Sequence, residues 1–197
     1  MAIQILNFRA TSGYVTDGAN SDYVLSSGGH SAYPFTTAQG WVVGWEGTVA
    51  TYLDARDRDN TIDVRLAGIN FAGIGSDLTF RVDLPSAGNY NIGIAAGDAS
   101  NANTCAWDLK DTTTLLTHLT TGTTTSGLKF KDASNTELTD VTWPAGQAFS
   151  SQTFSSTILR LYPVSPGALT VIANLSVEFT GGAPAATRVG SMFSMFR

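Results

Sequence analysis

The sequence predicts an all-β protein, an antiparallel jelly-roll sandwich, on three observations. First, Leu78, Phe80, Val82 and Leu84 alternate with Thr79, Arg81 and Asp83, which gives a strand one apolar face. Second, Leu169, Val171, Ala173, Leu175, Val177 and Phe179 form the longest alternating run in the chain. A helix would scatter those side chains around its circumference. Third, turn-rich clusters punctuate the sequence, among them Asp17-Gly18-Ala19-Asn20, Ser26-Ser27-Gly28-Gly29, Gly97-Asp98-Ala99-Ser100-Asn101 and Lys131-Asp132-Ala133-Ser134-Asn135. Many short strands separated by such turns build sandwiches, jelly rolls and barrels.

Further strands are expected at Ile3–Phe8, Trp41–Trp45, Cys105–Lys110, Leu115–Thr120 and Thr157–Tyr162. Ile62–Phe71 fits either a strand or a short turn of helix. After Leu84, Pro85-Ser86-Ala87-Gly88-Asn89 supplies a turn, and Tyr90, Ile92, Ile94 and Ala96 resume the alternation. The two runs are therefore expected to pair as an antiparallel hairpin. Phe80, Val82, Ile92, Ile94, Val171, Ala173, Leu175 and Val177 are the expected shared core. Residues 1–180 make one sandwich domain, and residues 181–197 a linker and an apolar tail. No internal repeat is visible, which argues against a propeller or solenoid.

The 197 residues suffice to bury a core without staples. Charged residues make up only 14%, and Thr, Ser, Asn and Gly fill their place. The net charge is −5, and no Lys/Arg cluster supplies the basic face that nucleic acid requires. Arg56, Arg58 and Arg65 are interleaved with Asp54, Asp57, Asp59 and Asp63. Nucleic acid and anionic membrane are thus poor partners. No stretch is long and apolar enough to span a bilayer, and no signal peptide precedes the Ile3–Phe8 run. Cys105, the single cysteine, excludes an internal disulfide and is expected as a small buried hydrophobe. Asn174-Leu175-Ser176 matches a glycosylation sequon, but its strand setting argues against modification.

Catalytic groupings are scarce. His30 and His118 are the two histidines, and neither has a His or Cys neighbour at metal-ligand spacing. No nucleophile elbow and no phosphate-cradling loop occurs. The expectation is a protein that is not an enzyme and carries no metal or cofactor. Asp54 to Asn60 could offer oxygens to a calcium ion, yet its arginines would repel a cation, so Arg–Asp pairing is favoured.

Recognition is better provided for, because sugar rings stack on flat aromatic faces. Tyr14, Tyr23 and Tyr33 lie in loop-like sequence and, with Asp98, are the candidate ligand-binding residues. Trp41 and Trp45 share one face of an apolar strand and belong in the core.

Taken in order, Ile5-Leu6-Asn7-Phe8, Ser12-Gly13-Tyr14, Trp41-Val42-Val43-Gly44-Trp45, Arg56-Asp57-Arg58, Thr79 to Pro85, Gly88-Asn89-Tyr90 and Gly97-Asp98-Ala99 resemble malectin-like or galactose-binding-like β-sandwich modules. The resemblance spans roughly Asn7 to Phe179. It implies a jelly-roll sandwich of a carbohydrate-binding type. Arg9-Ala10 stands where those modules usually carry Phe-Gly.

A second resemblance is to small virion proteins of tailed bacteriophages, on a Thr/Gly-rich body and a hydrophobic tail. It implies a structural role, as a capsid decoration or surface protein assembled in the host cytoplasm, with a capsid or other virion protein and copies of itself as partners. The alternative is a free-standing module that binds a cell-surface polysaccharide. Val189, Met192, Phe193, Met195 and Phe196 follow the Gly181-to-Ala186 linker and are the expected partner-binding residues, by docking on a neighbour or folding back.

Overall fold

The computed structural model describes residues 2–10, 20–24, 33–47, 53–57, 68–73, 78–95, 105–120, 130–131, 137–138, 147–164 and 169–182. It is an all-β sandwich. The strands are β1 Ile3–Arg9, β2 Asn20–Val24, β3 Phe35–Thr36, β4 Val42–Glu46, β5 Leu53–Asp57, β6 Gly68–Gly73, β7 Thr79–Asp83 and β8 Gly88–Ala95. They continue with β9 Ala106–Asp111, β10 Thr114–Thr120, β11 Phe130–Lys131, β12 Glu137–Leu138, β13 Gln147–Phe154, β14 Ile158–Val164, β15 Leu169–Ile172 and β16 Asn174–Gly181.

One main sheet has the order β13-β8-β16-β1-β2, and the other β10-β9-β14-β7-β4-β3. A smaller sheet, β15-β6-β5, lies beside β1, and β11 pairs with β12. Every pairing in the two main sheets is antiparallel except β1 with β2.

Between the main sheets the alternating runs meet. Phe80 sits at the centre of an aromatic cluster, with ring centroids of Phe8, Trp45 and Tyr23 at 5.0, 5.1 and 5.2 Å. These are edge-to-face contacts, the geometry favoured by the ring quadrupoles. Trp107 extends the cluster from Trp45, and the indole Nε1–H of Trp45 donates to Asn70 Oδ1. Phe80, Val82, Ile92, Ile94, Leu175 and Val177 all belong to this core, as expected. Val171 and Ala173 are buried but lie outside the main cluster. Trp41, Trp45 and Cys105 are buried, as their patterns predicted. Asn174 of the sequon is fully buried and donates to Asn7 Oδ1, which agrees with discounting the site.

Two expectations about pairing fail. The runs flanking Pro85 are not a hairpin: β7 pairs with β14 and β4, while β8 pairs with β13 and β16 in the opposite sheet. The turn carries the chain across the sandwich, and the Tyr90 hydroxyl secures it by donating to the Ser86 carbonyl. The long run from Leu169 to Phe179 is also two strands. At Ala173 the chain leaves the smaller sheet for a main one; Ala173 N–H donates to Ala95 O, and Phe8 N–H donates to Ala173 O. Alternation persists through such a bend because both segments bury one face. Of the ambiguous Ile62–Phe71 region, Gly68 to Phe71 belong to strand β6, and residues 62–67 lie outside the described residues.

One anchor positions the end of the six-stranded sheet. The β9–β10 turn passes through Thr112 at φ 57°. Beside it, the buried Asp111 carboxylate accepts from Ser155 N at 2.7 Å, Ser155 Oγ at 2.6 Å, Ser156 N at 3.3 Å and Ser156 Oγ. Burial alone would raise the Asp111 carboxyl, but these donors outweigh it and hold the group below the usual Asp range. The anchor ties the β9–β10 turn to the β13–β14 turn.

Candidate functional site

The strands that bury Val43, Trp45, Phe80, Val82, Trp107, Leu109, Leu159, Leu161 and Leu119 must present the intervening residues outward. On the six-stranded sheet these outward residues are Glu46 of β4, Arg81 and Asp83 of β7, Arg160 and Tyr162 of β14, Asp108 and Lys110 of β9 and His118 of β10. Register then makes them neighbours. Arg81 lies opposite Arg160, and Arg160 opposite Lys110. Tyr162 and His118 both lie opposite Asp108. Gly44, the β4 partner of Arg81, adds no side chain to that row.

One network centres on Glu46. Its carboxylate accepts from Arg160 Nε at 2.8 Å and Arg81 Nη1 at 3.0 Å. Arg81 Nε donates to Asp83 Oδ1 at 2.7 Å, and the Tyr33 hydroxyl donates to Asp83 Oδ2 at 2.7 Å. The Arg81 guanidinium lies 4.2 Å from the centre of the Tyr33 ring. Arg160 Nη1 also donates to Thr112 O, so the anchored turn holds this arginine in place. Burial alone would raise the Glu46 carboxyl, but hydrogen bonds from Arg160 and Arg81 outweigh it and hold the group below the usual Glu range. The Tyr33 hydroxyl is pushed up, first because it donates to the Asp83 carboxylate and then by burial.

An adjoining network lies across β14, β9 and β10. Lys110 Nζ sits 4.0 Å from the centre of the Tyr162 ring and 3.8 Å from Asp108 Oδ2. His118 Nδ1 is 2.6 Å from Asp108 Oδ1. A carboxylate only accepts, so Nδ1 carries the proton. The His118 side chain is 66% exposed, whereas Arg81 and Arg160 are 19% and 16% exposed. The face is therefore a set of half-buried charges with two tyrosine rings among them and a histidine on the edge strand β10. Among the described residues, no group of three or more His, Cys, Asp and Glu side chains is placed to hold a metal ion.

Of the candidate ligand residues, Tyr33 belongs to this face. Tyr23 does not: it lies in β2, is 0% exposed, packs against Phe8, Phe35 and Phe80, and its hydroxyl accepts from Trp45 N–H. Its loop-like neighbours disguise a strand that pairs in parallel with β1, and its ring completes the core. Burial pushes its hydroxyl well above the usual Tyr range. Tyr14, Asp98, His30, the whole Val189, Met192, Phe193, Met195 and Phe196 tail, and the Arg58 to Asn60 part of the Arg/Asp segment lie outside the described residues. The sequence reading missed Glu46, Arg81, Lys110, Asp108, Arg160 and Tyr162 as a site. Their signal was present as the polar half of each alternating run, but four runs had to be aligned before it became a cluster.

No protein-family model matches the chain, and no curated protein matches it. Three similar solved structures are of glucuronidases from Bacteroides uniformis. A calcium-binding mutant of β-glucuronidase 2 shares 10% identity at TM-score 0.47, over 91% of this chain and 18% of that one. β-Glucuronidase 2 bound covalently to cyclophellitol-6-carboxylate aziridine gives 10% and 0.46 over the same shares. A further B. uniformis β-glucuronidase gives 11% and 0.39, over 76% of this chain and 15% of that one. The chain thus spans less than a fifth of the length of each of these enzymes.

Proposed function

We propose that this domain is a non-catalytic carbohydrate-recognition module, and that the outer face of its six-stranded sheet contacts the glycan. One observation carries the reading. Tyr33 and Tyr162 stand among paired guanidinium, ammonium and carboxylate groups presented by four adjacent strands. Aromatic rings offer stacking faces for sugar rings, and the ion pairs offer fixed donors and acceptors for hydroxyls. The groups are already held by one another, so binding costs little side-chain entropy.

Titration calorimetry against a panel of soluble polysaccharides tests the reading. Binding that falls about tenfold in Tyr33→Ala or Tyr162→Ala, with no release of reducing sugar, is expected. Binding unchanged in both variants would remove this face from consideration. The reading as a virion decoration or surface protein receives no support from the structure or the comparisons, and its tail lies outside the described residues.

A further inference from the structure

Arg81, Arg160 and Lys110 stand in register on three adjacent strands, all on the outer face. Neighbouring strands lie about 4.8 Å apart, so the three side chains rise from one line roughly 10 Å long. Like charges directly opposite one another destabilise a sheet. Here that arrangement occurs twice in succession. The sheet tolerates it because Glu46 accepts from both arginines, Asp83 accepts from Arg81, and Asp108 lies near Lys110. Compensation is uneven along the line. The two guanidiniums share one carboxylate at their centre, while Lys110 Nζ stays 3.8 Å from Asp108 Oδ2, beyond a short hydrogen bond. The Asp108 oxygen nearest to a cation-forming partner is Oδ1, at 2.6 Å from His118, which draws that carboxylate toward the sheet edge.

We infer that the glycan bound by this face is acidic, a saccharide whose pendant carboxylates or sulfates meet the Arg81–Arg160–Lys110 line. The inference rests on the carbohydrate reading and adds the charge of the ligand to it. Arg160 already holds Glu46 through Nε and Nη2, and Arg81 holds Asp83 and Glu46 through Nε and Nη1, so the loosely paired Lys110 ammonium is the group an anion meets first, as a point charge on a flexible stem. The Tyr33 and Tyr162 rings would lie beside the sugar that bears the anion.

The test uses the full chain and four probes: an alginate oligomer, the same oligomer with its carboxyls reduced to alcohols, dextran sulfate and poly-glutamate. Calorimetry at low and moderate salt is run on the wild type and on Lys110→Gln, with Arg160→Gln added where circular dichroism shows it folded. Alginate binding that weakens about tenfold on carboxyl reduction, in Lys110→Gln and with added salt supports the inference. Dextran sulfate binding with the same Lys110 dependence supports it with sulfate as the anion. Equal affinity for the acidic and reduced oligomers overturns the acidic ligand and leaves carbohydrate recognition in place. Poly-glutamate binding tighter than both acidic saccharides overturns the saccharide in favour of an acidic peptide. Binding of none of the four overturns the inference, and failure of the wider polysaccharide panel as well overturns the carbohydrate reading.

Discussion

The two outer faces of the sandwich share one core and differ in chemistry. On the six-stranded sheet, Glu46 bridges two arginines, and aromatic rings lie beside the charges. On the five-stranded sheet the comparable bridge is Asn91. It accepts from Ser151 Oγ at 2.7 Å and donates to Glu178 Oε2 at 3.1 Å, across β13, β8 and β16. One row away, Asn89 accepts from Thr153 Oγ1 and donates to Gly182 O. Apart from the Glu178 carboxylate, these bonds on the five-stranded face join amides, hydroxyls and a backbone carbonyl, groups that water can replace at little cost. The six-stranded face holds full charges at less than a third exposure, so water compensates poorly for a lost partner. Equivalent positions in two sheets can therefore carry different energetic weight, and the face that is costlier to assemble is the better candidate for function.

The largest expected effect tests whether the faces stand or fall together. Phe80→Ala removes the ring that contacts Phe8, Tyr23 and Trp45, and should cost about 3–5 kcal/mol in urea unfolding. Near-ultraviolet and far-ultraviolet signals should be lost in one transition. Two separated transitions would show that the sheets do not share a cooperative core.

Next in size is Glu46→Gln, which leaves Arg81 and Arg160 facing each other without their shared carboxylate. A loss of about 1–2 kcal/mol is expected, with part of the full value returned by solvent screening. A variant as stable as the wild type would mean that the network is ornamental to folding.

Acid should discriminate between the faces as well. The Glu46 and Asp111 carboxyls are held below their usual ranges in the folded protein. Their contribution is present above the unfolded values, about 4.3 for Glu and 3.9 for Asp, and is lost as pH falls through the folded values. Melting temperatures should therefore drop as pH falls below about 4. Glu46→Gln and Asp111→Asn should each flatten that drop. A drop of unchanged steepness in both variants would assign acid sensitivity to other carboxylates.

The smallest effect is expected on the five-stranded face. Asn91→Ala should change stability by no more than about 0.5 kcal/mol and leave saccharide binding untouched. A loss of binding in Asn91→Ala with Tyr33→Ala silent would invert the assignment of the two faces.

These contrasts also separate what was legible in the residues from what was not. Alternation of Phe80 and Val82 with Arg81 and Asp83 determined which side chains enter the core and which face water. The same held for Trp107 and Leu109 against Asp108 and Lys110. The paired runs in the sequence marked both the buried half and the exposed half of the future face. Tyr33 was legible as a ligand candidate from its loop-like setting. Tyr23, in a similar setting, was not distinguishable from it, because a five-residue strand with polar neighbours carries little periodicity of its own. Only docking in parallel beside β1 buries it.

By itself, the sequence determined the all-β class and the inward-facing core residues. Each of these depends on local alternation or on composition. The tertiary structure alone decided that β7 and β8 belong to opposite sheets, that Leu169 to Phe179 bends into two sheets at Ala173, and that Arg81, Arg160 and Lys110 share one line. The physical reason is that a period of two sets the direction of a side chain, whereas its neighbour is chosen by hydrogen-bond register between strands distant in sequence. Glu46 and Arg160 are 114 positions apart, and no local pattern connects them.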